Sequence, residues 1–179
     1  MRDATTFIVL FRGVGGATQL PVTRLRQALG EGGFGAVATY INSGNAVLDS
    51  VWDAAETRAR IAGIAAGEFG FSKEIMLVRR ADWRRIIAEN PFPEAAEQPT
   101  LLHVFVLERA PRPDSFAALQ DRARGENLHL RGNILYLHVP DGFSASKLPP
   151  VLDRVLGTTS TARNWRTVLA LDRLAAATR

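Results

Sequence analysis

Thr161-Ala162-Arg163-Asn164-Trp165-Arg166-Thr167 packs two guanidiniums, an amide, an indole and two hydroxyls into seven residues. Guanidiniums and amides placed together hold oxyanions or backbone carbonyls. Val168, Leu171 and Ala175 form the inner stripe of a terminal helix, and Asn164 extends that stripe backwards by one turn. A buried amide needs a partner, because burying it unpaired is costly. One partner is backbone from another segment, which makes the motif a structural lock. The other is an anion, shared with Arg163 and Arg12. A guanidinium at a helix start opposes the positive pole there, so Arg163 reads as answering something outside its own helix.

Three more clusters carry polar chemistry. Arg12-Gly13-Val14-Gly15-Gly16 follows a strand-like run, where backbone amides can cradle a phosphate. Thr18 stands at the last glycine position of G-x-G-x-x-G and no P-loop string is present, so the plainer reading is a glycine turn. Asn42-Ser43-Gly44-Asn45 has hairpin-turn chemistry, and its two amides, Asn42 and Asn45, can also clasp a ligand. Ser43 lacks the G-x-S-x-G frame of a nucleophile. Ser144-Ala145-Ser146-Lys147 contains S-x-x-K, but Pro149 and Pro150 follow at once. Ser146 then starts a helix, and Lys147 is a charge able to meet an anion. His103, His129 and His138 sit in strand-like sequence without metal-ligand spacing, and Trp83 and Trp165 lie on apolar helix faces.

The elements that must position these residues follow from periodicity. The first half reads as a strand over 7–11, a helix from Pro21 to Leu29, a hairpin of strands 37–41 and 46–48, a helix over 53–69 and a strand over 74–78. That β-α-β-β-α-β order is the ferredoxin-like arrangement. A connecting helix over 82–90 leads to Pro91-Phe92-Pro93 and a linker. The second half begins β-α-β-β-α and ends on a helix rather than a strand, with a strand over 101–107, a helix over 114–124, a hairpin over 127–139 turning at Arg131-Gly132-Asn133, and helices over 148–156 and 162–177. The expected architecture is α+β: two ferredoxin-like β-α-β-β-α subdomains in tandem, closed by a C-terminal helix. The subdomains take residues 1–80 and 100–179, joined by a connecting helix and Pro-rich linker over 81–99.

Composition removes several classes of function. With no cysteine there is neither a disulfide framework nor a thiolate. No apolar run is long enough to span a membrane, and the N-terminal residues lack a signal-peptide pattern, so a cytoplasmic protein is expected. Net charge is +4, and each half carries 11 basic and 9 acidic residues, which argues against a basic arm. Nucleic-acid binding is then expected to be weak and lost with added salt, since few counterions would be released.

Leu10-Phe11-Arg12-Gly13, Tyr40-Ile41-Asn42-Ser43-Gly44-Asn45, Asn90-Pro91-Phe92, Leu135-Tyr136-Leu137-His138, Ser146-Lys147-Leu148 and Thr161-Ala162-Arg163-Asn164-Trp165 occur in this order. Taken together, these segments make the chain resemble, nearly end to end, the DUF1697 family, a family of unknown function. The resemblance implies two ferredoxin-like subdomains and no particular activity. The family usually has Arg-Gly-Ile-Asn-Val-Gly-Gly after the first strand, whereas this chain reads Arg12-Gly13-Val14-Gly15-Gly16, two residues and one asparagine shorter. Ala145 stands where the family commonly has arginine.

Three functions stay open at this stage. The first is a module that binds a small anionic molecule between the subdomains, through Arg12, Asn42, Asn45, Lys147, Arg163, Asn164 and Trp165. The second is weak RNA binding, although the strand Ala46-Val47-Leu48 offers no aromatic on which a base could stack. The third is an enzyme that uses Arg and Asn as electrostatic stabilisers, without a recognisable base. Cofactor and oligomeric state are not legible.

Overall fold

The computed structural model describes residues 3–177. The chain divides into two compact units, one running to Arg85 and resuming at Leu169, the other spanning Ile86–Val168.

In the first unit the apolar run Thr5–Phe11 forms β1, and its residues from Phe7 onward are all buried. Such a run has no polar face to offer water, so it takes a central position in the sheet. It lies between β3 (Asn45–Ser50) and β4 (Ile75–Arg79), with β2 (Gly35–Tyr40) on the far edge, all antiparallel in the order β2-β3-β1-β4. Phe7 faces Leu48 on one side and Arg79 on the other. Helix α1 (Val22–Glu31) starts behind Pro21 and buries Leu25, Ala28 and Leu29. Helix α2 (Ala54–Phe69) is capped by Asp53, whose carboxylate accepts the Glu56 amide at 2.9 Å, and ends at left-handed Gly70. Its buried residues are Thr57, Ile61 and Ala65, while Ile64 is only partly buried. Phe7, Val9, Phe11, Leu25, Leu29, Leu48 and Ile61 form the core beneath the helices. Helix α3 (Arg80–Ala88) begins directly after β4.

The second unit has the same topology. β5 (Leu102–Leu107), buried throughout, lies between β7 (Ile134–His138) and β8 (Ser160–Asn164), with β6 (Asn127–Arg131) at the edge, in the order β6-β7-β5-β8. The β6–β7 hairpin turns at Gly132 in the left-handed conformation. Helix α4 covers Pro113–Gln120, and the core collects Phe105, Leu107, Leu119, Leu135, Leu137, Leu148 and Leu152. Tyr136 Oη donates to the carbonyl of Ile86 at 2.7 Å, tying the last part of α3 to this sheet.

Two expectations are corrected here. The segment 148–156 is not one helix: Pro149-Pro150-Val151 form a 3-10 turn, and only Leu152–Leu156 is helical (α5), ending at left-handed Gly157. The terminal helix does not start at Ala162. Residues Ser160–Asn164 are strand β8, paired with β5 so that Ser160 faces Leu107 and Arg163 faces Val104, and α6 begins at Trp165 and runs to Ala177. The second half is therefore a complete β-α-β-β-α-β unit with α6 appended. Non-local pairing with β5, more than fifty residues away in sequence, outweighed the helical stripe that the local pattern displays.

Candidate functional site

Arg12 is the first residue past β1 and is exposed. Its Nη1 lies 3.3 Å from Glu74 Oε2, and its amide donates to the Glu74 carbonyl at 2.9 Å. With side chains 44% and 56% exposed, that ion pair is screened by water and contributes little to stability. Lys73 Nζ donates to the Gly13 carbonyl at 2.6 Å, so a second cation joins the loop. Gly13 and Gly16 are left-handed, Gly15 and Thr18 exchange backbone hydrogen bonds at 3.2 and 3.0 Å, and the space over Gly15 and Gly16 is open.

The 41–44 turn packs on this loop. Phe11 donates its amide to the Gly44 carbonyl at 2.8 Å, and a Cβ on Gly44 would meet Phe11 Cβ and Val14 Cγ2 at 2.7 Å. Asn45 is buried; its Nδ2 donates to the Tyr40 carbonyl at 3.2 Å and to Ser43 Oγ at 2.7 Å, closing the turn. Asn42 is exposed. The preceding Ile41 holds a φ of 45°, which is strained for a β-branched residue. Within the first unit, then, Arg12 and the Asn42–Asn45 turn meet at one end of the sheet.

In the second unit the Arg163-Asn164-Trp165 segment divides among three tasks. Arg163 is a strand residue, so the helix-pole argument made from its sequence position does not apply. Its Nη1 donates to Thr161 Oγ1 at 2.8 Å and to the Ala162 carbonyl at 2.7 Å. Desolvation pushes its pKa down to about 10, which still leaves it charged at neutral pH. Asn164 ends β8 and caps α6: its Oδ1 accepts the Thr167 amide at 3.0 Å, three residues on. Trp165, the first residue of α6, is buried. Lys147 is exposed and lines a cavity of about 110 Å³ together with Arg122, Arg124, Glu126 and Asp141. Ser146 hydrogen-bonds Glu126 through its hydroxyl and accepts the Leu148 amide at 3.2 Å, but it does not start a helix: the 3-10 turn begins at Pro149 and the helix at Leu152. That hydroxyl, followed by the Arg124 amide, holds the Glu126 carboxyl below its usual pKa.

The three histidines lie on β5, β6 and β7. His103 is buried with its ring centroid 4.2 Å from that of Phe143, and its Nδ1 has no hydrogen bond. Burial, opposed only in part by a hydrogen bond to the Leu101 backbone, pushes its pKa down to about 4. The native state thus favours the neutral ring, whereas the unfolded chain titrates near 6.5. This contribution to stability is complete above about pH 6.5 and is lost as pH falls towards 4, by about 3 kcal/mol at most. Melting temperatures from pH 7.5 to 4 should show that slope, and His103→Phe should flatten it. An unchanged slope in the variant would assign the effect to other groups.

Residues 4–136 match the family described as "Protein of unknown function (DUF1697)". The chain belongs to the DUF1697 family. Arg12, Asn42 and Asn45 fall inside the matched DUF1697 region, while Lys147 and the Arg163-Asn164-Trp165 segment lie beyond it. The structure is similar to that of the conserved bacterial protein SP0830 from Streptococcus pneumoniae. The TM-score is 0.71 at 19% identity, over 97% of this chain and 99% of that one. At that identity the likeness shows the fold. None of the curated proteins matches the chain.

Sequence reasoning on this DUF1697 chain missed Lys73 and Glu74, which lie just ahead of β4 and meet Gly13 and Arg12. The signal was available in part: Lys73 is one of only two lysines, and it stands two residues ahead of the strand that pairs with β1.

Proposed function

We propose that this DUF1697 protein is a binding module for a small anionic molecule. The observation that carries the reading is the end of the first sheet, where Arg12 and Lys73 flank a glycine loop with open space over Gly15 and Gly16. Arg12 supplies the charge, Asn42 a side-chain donor on a protruding turn, and Gly44 and Asn45 hold that turn. The left-handed Ile41 supports the reading, because backbone strain of this kind gathers at ligand-binding turns. In the second unit Arg163 and Lys147 are the proposed cations, with Asn164 and Trp165 fixing the strand-to-helix junction beside Arg163. The middle strands β1 and β3 are buried along most of their length, which favours a small ligand over stacked RNA bases.

Native mass spectrometry of the purified protein should reveal a co-purifying anion, and calorimetry with a panel of phosphates and carboxylates should rank its class. Arg12→Ala and Asn42→Ala should each weaken that binding about tenfold or more, the loss of one charge-assisted contact, with little change in melting temperature. For the second unit, read on its own, loss of anion binding in Arg163→Ala at an unchanged melting temperature would assign Arg163 to a ligand. A lowered melting temperature with binding intact would assign it to the scaffold. Affinity indifferent to both Arg12→Ala and Asn42→Ala would overturn the proposal for the first unit.

A further inference from the structure

The antiparallel pairing of β1 with β4 brings the first residues of β1 beside the last residue of β4 and the start of α3. Thr5, Thr6, Arg79, Arg80 and Arg84, with two alanines between them, line a groove there of about 370 Å³. It lies at the opposite end of β1 from Arg12, a seven-residue strand away, or roughly 20 Å.

The charge in this groove is not neutralised from within. No carboxylate lines it, and among the described residues Arg79, Arg80 and Arg84 make no ion pair and no side-chain hydrogen bond. The acid closest in sequence, Asp82, is engaged by Arg85 at 3.2 Å. The Thr6 hydroxyl is committed to Asp49 at 2.6 Å, which leaves Thr5 as the hydroxyl facing the arginines. Arg80 Nε and Nη1 are shielded from water and so do not open onto the groove, to which Arg80 contributes charge. Asp172, on α6 in the same unit, also has a buried oxygen without a hydrogen bond, and it forms no ion pair with Arg80. Two of the arginines also belong to a nine-residue helix, with Arg80 at its first position, where the pole is positive. Guanidiniums gathered at that pole repel it and one another unless an anion joins them.

We propose that this groove binds a phosphate group carried on a small molecule. Two open guanidinium forks, on Arg79 and Arg84, with the charge of Arg80 beside them, match the several oxygens and double charge of a phosphate better than they match a single carboxylate. The groove is larger than a bare phosphate fills and falls within the usual range of small-ligand sites, so a phosphomonoester suits it. The proposal goes beyond the anion reading of the Arg12 loop and stands or falls separately from it.

The test is an amide NMR titration of the full chain with inorganic phosphate and with glycerol phosphate, against sodium chloride at matched ionic strength. Saturating shifts are expected at Thr5, Thr6, Ala81 and Arg84, with glycerol phosphate binding at least as tightly as inorganic phosphate. The Arg79→Ala/Arg84→Ala double variant should weaken that response tenfold or more while the rest of the spectrum stays in place. Should the double variant fold poorly, Arg84→Gln alone must still weaken it. The proposal is overturned if the shifts are absent, if chloride reproduces them, if they survive the substitutions, or if a short RNA saturates the groove where both phosphates fail. Shifts at Gly13 and Gly16 report the other loop, so failure of one site is distinguishable from failure of the other.

Discussion

Gly44→Ala is expected to lower stability by about 3 kcal/mol or more, the sum of a left-handed backbone penalty and an overpacked contact. Gly44 holds a φ of 72°, and the added carbon would meet Phe11 Cβ and Val14 Cγ2 at 2.7 Å. Phe11 Cβ sits on the central strand, beneath which the core is packed, so it cannot yield without moving the backbone. For a chain of this length the melting temperature should fall by about 10 °C. Gly16→Ala is the control: its φ is 55°, but nothing lies within 4 Å of the added carbon. It should cost only the backbone term, about 1–2 kcal/mol. Equal losses from the two substitutions would show that crowding between the turn and the β1 loop does not matter.

Trp165→Ala should be comparably damaging, at about 3–5 kcal/mol, because it empties a large buried site. Its neighbour offers a calibrated contrast. Asn164→Ala removes one capping hydrogen bond at the same junction and should cost about 1 kcal/mol. Asn164→Asp keeps the acceptor and places negative charge at the positive pole of α6, so it should retain stability. Chemical denaturation of the three variants measures this order. If Asn164→Asp proves as harmful as Asn164→Ala, the amide nitrogen and not the cap is what the fold requires.

The β-α-β-β-α-β order of the first half was legible because each element there carries its own local signal. Phe7–Phe11 is a continuous apolar run, Asp53 and Gly70 punctuate α2, and the Asn42–Asn45 turn separates two strands. What failed was β8. Asn164, Val168, Leu171 and Ala175 keep a helical period, and nothing local says that Arg163 will pair with Val104. A cap signal was nonetheless present, since an asparagine ahead of an apolar helical face is a common helix start. Read as a cap, Asn164 would have placed Arg163 outside the helix. The arginine groove was hidden for a different reason. An even spread of charge along the sequence conceals a patch made by apposing the start of one strand and the end of another.

The first unit is not a continuous stretch of sequence, since it stops at Arg85 and resumes at Leu169. The residues up to Arg85 therefore belong to a unit whose last contributors, on α6, are translated more than eighty residues later. Strands β1 to β4 must wait through synthesis of the entire second unit before their full complement of chain exists. A cut after Arg85 yields a fragment that lacks part of its own unit, and it also severs α3, just as a cut after Val168 severs α6. By the logic of its own chain order, the half that is made first is the half that is finished last.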